Sequence, residues 1–133
     1  MEQSARASRI WDAPVRVFHW GTLACVAAAF LTRHGQWIDL HAAIGYAALV
    51  LLGFRLLWGF VGSRHARFAD FICTPFQAWR YLQAATQRKA QPSVGHNPAG
   101  GWSVLVLLAW LFIILASGIA ALSMQFGLGP LGG

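Results

Sequence analysis

Two histidines and one arginine stand inside runs that are otherwise apolar. His19 lies in RVFHW, His41 begins the stretch LHAAIGYAALVLLGFRLLWGF at 40–60, and Arg55 interrupts that stretch. Neutral imidazole is a common metal ligand, and a charge at membrane depth is costly enough to be functional, paired or snorkelling to the interface. On a helix, positions 41, 45, 48, 52, 55 and 59 fall on one stripe and read His, Gly, Ala, Leu, Arg, Gly. That face is narrow and mostly small, with a ligand-type residue near one end and a cation near the other. A flat cofactor could lie against it. Taken alone, the same helix suits an ordinary membrane span with an interfacial histidine and a snorkelling arginine, and alone it favours that plainer reading.

The elements that must position these residues are long apolar helices. The chain of 133 residues is 57% hydrophobic and 11% charged, with a mean hydropathy of +0.53, which places it in a membrane. The expected fold is all-α: an integral membrane helical bundle with three transmembrane helices at about 15–32, 40–60 and 101–122. The expected organisation is a polar segment at 1–14, a transmembrane domain at 15–122 containing a long polar loop at 63–99, and an unstructured tail at 123–133. Within the loop, Pro75 to Ala85 predicts a short helix lying on the membrane, with Phe76, Trp79 and Leu82 or Gln83 on one face and Arg80 beside them. AAAF near residue 30 admits a signal-peptide reading, but Trp, His and Phe at the start of the run are unusual for one.

Charge gives the bundle a direction. Eight of the ten basic residues (Arg6, Arg9, Arg16, Arg64, Arg67, Arg80, Arg88 and Lys89) fall in the N-terminal segment and the 63–99 loop, and the turn between the first two helices has only Arg33. The positive-inside rule then places the N-terminus and the loop in the cytoplasm. His19 falls at the cytoplasmic level and His41 at the outer level. Arg55, fourteen residues past His41, lies about 21 Å down the helix, back at the level of His19. Two ligand levels, one per leaflet, are what a transmembrane electron wire needs.

Other chemistries find little support. The net charge of +6 is spread without a basic–aromatic run, so no nucleic-acid partner is expected. Glu2, Asp12, Asp39 and Asp70 are the only carboxylates, too few and too scattered for paired acid–base catalysis. Cys25 and Cys73 make neither a CxxC nor a CxxCH, so covalent haem attachment is unsupported and a disulfide between them is not expected. His34, His65 and His96 fall in loops and read as solvated or turn-shaping residues.

WDAPVRVFHW, LHAAIGY, FRLLWGFVGSRHARFADF and GHNPAGGW together resemble the prokaryotic cytochrome b561 family, which includes the b-type cytochrome subunits of nickel–iron hydrogenases and formate dehydrogenases. The resemblance covers nearly all of residues 10–122. It implies a four-helix bundle in the bacterial inner membrane that holds two haems b and moves electrons between a redox partner and the quinone pool. The partner would be a cytochrome c or a hydrogenase or dehydrogenase subunit, and the chain an oxidoreductase subunit rather than a stand-alone enzyme. It further implies His19 and His41 as haem-iron ligands, Arg55 near a haem propionate, and Gly45, one turn after His41, as room for the porphyrin edge. The family's two further haem histidines lie on a fourth helix, before which this sequence stops. The chain thus supplies half of each axial pair and is expected to be a truncated form, a fragment, or a chain completed by another. A different class of function is a cofactor-free membrane anchor or assembly subunit of a respiratory complex.

Overall fold

The computed structural model describes residues 13–63, 66–71, 73–87, 98–127 and Pro130. Those residues form α1 (Ala13–Leu31), a 3-10 turn (Gly35–Trp37), α2 (Ile38–Val61), α3 (Phe68–Phe71), α4 (Pro75–Thr86) and α5 (Pro98–Phe126). The fold is all-α, and α1, α2 with its leading turn, and α5 are each long and apolar enough to cross a membrane. Their 19, 24 and 29 residues correspond to about 28, 36 and 44 Å, against roughly 30 Å of hydrocarbon.

The three long helices run up, down and up. α2 is central: α1 packs along one side of it and α5 along another. The bundle therefore has a turn end, where α1 hands over to α2 and α5 finishes, and a loop end, where α1 and α5 begin. At the turn end Gly35 takes φ 56°, a left-handed conformation that glycine adopts without a Cβ penalty. Lower down, a Cβ on Gly21 would stand 3.1 Å from Leu51 Cδ1, so the missing side chain lets α1 approach α2 closely.

At the loop end the chain folds back on α2. Phe68 lies so close over Gly59 that any Cβ there would meet its ring. Leu52, Phe68 and Leu108 form the buried core, with Phe18, Val104, Leu105, Leu111 and Leu115 packed around them. α4 begins with a reciprocal cap: Thr74 Oγ1 accepts from the Gln77 backbone N–H at 3.3 Å, and Gln77 Oε1 accepts from the Thr74 N–H at 3.2 Å. Trp102 Nε1 donates to the Cys73 carbonyl at 2.9 Å and ties this start to α5. Phe76, Trp79 and Leu82 stay exposed on α4, as expected of an interfacial helix.

The helix bounds differ from the expected ones mainly in α5, which starts at Pro98 and continues to Phe126 rather than ending near 122. LSMQF contains no helix breaker, and the helix stops only where Gly127 enters the left-handed region at φ 60° and donates to the Ser123 carbonyl at 3.1 Å. Residues 123–126 are thus helix rather than unstructured tail. The segment 1–12, His65, and the 88–97 part of the polar loop with His96 lie outside the described residues.

Candidate functional site

The stripe on α2 is the packed face of that helix. Ala48, Leu52, Arg55 and Gly59 are its buried residues, and His41 and Gly45 continue the line half-buried. Its two halves have different neighbours. From Leu52 onward it is covered by Phe68 and Leu108. From His41 to Ala48 it borders a cavity of about 470 Å³, within the roughly 300–1,000 Å³ usual for small-molecule and cofactor sites. Cys25, Ala29 and Phe30 of α1 and Leu115, Gly118 and Leu122 of α5 supply other parts of its wall. A Cβ built on Gly45 or Gly118 would meet nothing within 4 Å, so both glycines open onto space.

The His41 ring is oriented by two neighbouring groups. Its Nδ1 lies 3.0 Å from the Ala29 carbonyl oxygen. A carbonyl only accepts, so Nδ1 carries the proton and, in a neutral ring, Nε2 carries the lone pair. Thr32 Oγ1 donates to the Ala28 carbonyl at 2.8 Å and lies 3.4 Å from the same Nδ1, adding a second, weaker acceptor for that proton. Holding one ring nitrogen through a backbone carbonyl fixes the tautomer and the ring orientation, an arrangement usual for metal-ligating histidines. Among the described residues no three His, Cys, Asp or Glu side chains gather as a metal cage. A single oriented imidazole beside an apolar cavity instead suits a metal whose other ligands arrive with it, as iron does in haem.

His19 sits elsewhere. It is exposed on α1, its ring edge-on to Trp20 at 5.5 Å between centroids, and it lines neither this cavity nor a smaller one of about 280 Å³ at the loop end. Ala29, which holds His41, is ten residues further along α1, so the two histidines differ in height by about 15 Å. Leu51 packs on Gly21, so Arg55, one turn beyond Leu51, lies within about a turn of the height of His19. Arg55 is 4% exposed, donates through Nη1 to the Ala66 carbonyl at 3.3 Å, and has its guanidinium carbon 4.9 Å from the Phe68 ring centroid. It thereby clasps the chain that leaves α2. His34 is exposed at the turn end, where its Nε2 accepts from Arg33 Nε at 2.8 Å. Cys25 and Cys73 form no disulfide.

The description prokaryotic cytochrome b561 matches residues 10–131. The chain belongs to that family. Its relatives include the probable Ni/Fe-hydrogenase 1 B-type cytochrome subunit of Escherichia coli K12, 26% identical over 117 residues that cover 67% of this chain and 49% of the relative. The probable Ni/Fe-hydrogenase B-type cytochrome subunit of Rhizobium leguminosarum is 24% identical over 135 aligned positions, covering 80% of this chain and 56% of the relative. That of Azotobacter vinelandii is 28% identical over 120, covering 68% and 49%. The chain thus spans about half the length of the curated relatives it matches. No solved structure matches it.

Three features of this candidate site were not singled out from sequence: Ala29 and Thr32 as the orienting pair for His41, Arg33 at the cavity, and the α5 wall. The wall residues Leu111, Leu115, Gly118, Leu122 and Gln125 recur at helical spacing. In a helix apolar on all sides, such spacing carries no contrast.

Proposed function

We propose that this chain carries haem b in the membrane and moves electrons between a redox partner protein and the quinone pool. The observation that carries the reading is His41, oriented through Nδ1 by the Ala29 carbonyl beside an apolar cavity with glycine-lined walls. Bound haem would supply a one-electron iron couple. His41 Nε2 would hold the iron, and the Nδ1–H···O bond would keep the ring from rotating and its lone pair available. Gly45 and Gly118 leave the space that a porphyrin edge requires, and the aliphatic walls exclude water from it. His19 would serve a second iron about 15 Å away in height, giving one electron site in each leaflet. Arg55 would stand near the propionates of that second group. Positive-inside counting favours a cytoplasmic N-terminus in a bacterial inner membrane. The names of the relatives make a hydrogenase subunit the favoured partner.

The test is a reduced-minus-oxidised visible spectrum and a haem determination on membranes containing the protein and its H41A and H19A variants. Each substitution is expected to remove one b-type component. A protein that binds no b haem would fit a cofactor-free anchor, and haem unaffected by both substitutions would show that neither histidine is a ligand; either result rejects the proposal.

A further inference from the structure

The apolar cavity carries one charged group at its wall. Among the described residues lining it, Arg33 is the only one with a formal charge. It stands two residues past the C-terminus of α1, next to Thr32, whose hydroxyl contacts His41. Two contacts hold the guanidinium in place. Its central carbon sits 3.9 Å from the Phe30 ring centroid, and Nε donates to His34 Nε2 at 2.8 Å. Those contacts use Nε and the flat face of the group. The two terminal nitrogens, with four N–H donors, take part in neither.

A cation at the exposed rim of an apolar cavity matches a ligand that is apolar over most of its body and anionic at one edge. Haem b has that shape, with two propionate carboxylates on one side of an apolar disc. A carboxylate left unpaired against apolar walls would be costly, whereas a guanidinium offers it paired, parallel donors. We propose that Arg33 binds the propionate carboxylates of the haem held by His41, so that the charged edge of the group lies at the turn end of the bundle. This rests on the reading of His41 as a haem ligand. It gives Arg33 a role separate from that of Arg55, which is engaged at the loop end with Ala66 and Phe68.

The test compares haem b with its dimethyl ester, in which both carboxylates are masked, in the detergent-purified protein, reading the affinity of the component that H41A removes. R33Q is expected to weaken haem b about tenfold, the usual scale for a charge-assisted pair, and R33K to recover part of that loss. The ester is expected to bind the unsubstituted protein and R33Q alike. The proposal is overturned if R33Q holds haem b as tightly as the unsubstituted protein. It is equally overturned if R33Q weakens the ester as much as the free acid, since Arg33 would then act only by packing on Phe30 and His34. Retention of the full haem complement in H41A would reject the ligand reading first, and this assignment with it.

Discussion

The two halves of the α2 stripe share a helix and a pattern of small residues but meet different surroundings. At the loop end, Gly59 is filled over by Phe68, and Leu52 is closed in by Phe68 and Leu108. At the turn end, Gly45 faces open space and His41 borders the cavity. A small residue on a membrane helix thus has two uses: it lets the protein's own groups approach, or it keeps them away. In lipid, where burial of apolar surface between helices gains little over contact with acyl chains, association rests on close packing and polar bonds. The loop half provides that packing, so the turn half can remain open without the bundle losing its hold.

The same substitution placed in each half should separate these roles most clearly. Gly59→Ala drives a methyl into a ring that the core already confines, and is expected to destabilise the bundle by about 1–3 kcal/mol in spite of better helix propensity. Gly45→Ala should leave thermal unfolding in detergent unchanged or slightly improved, and lower haem retention instead. Equal unfolding shifts for the two variants would break the comparison. Next in size is Leu52→Ala, at 2% exposure. Its cost in a water-soluble core would be roughly 2–5 kcal/mol, part of it transfer from water. In lipid that part falls away, so about 1–3 kcal/mol is expected. Ile114→Ala on the cavity wall should cost well under that, because its side chain is 54% exposed. Thr32→Val is the smallest change. It removes the Oγ1 bonds to Ala28, Ala29 and His41 but leaves the Ala29 carbonyl to accept from Nδ1, so a loss of about 0.5–1 kcal/mol with haem retained is expected. Loss of haem in this variant would show that Thr32, and not Ala29, orients the ring.

Much of the fold was legible without coordinates. The three long apolar segments were evident because a span must be both long and nearly uncharged, and the helix after Pro75 because a proline opens a stretch in which Phe76, Trp79 and Leu82 share a face. The stripe on α2 was legible because its small, polar and charged members contrast with the Leu, Val and Phe around them. The C-terminal limit of α5 was missed, since nothing before Gly127 interrupts its helix-forming pattern. His41 could be named but not oriented. The carbonyl that fixes its tautomer belongs to Ala29, twelve residues away on another helix, and carries no side-chain signal at all.

The sequence by itself determined the helical membrane class, the family, and the stripe of small, polar and charged residues along α2, because hydropathy and side-chain size are local properties that lipid and neighbouring helices must both respect. Only the tertiary structure decided which half of that face would be filled and which left open. The decision lies with Phe68, Leu108 and Gly118, which reach α2 from other parts of the chain, and distances between helices are not written along any one of them.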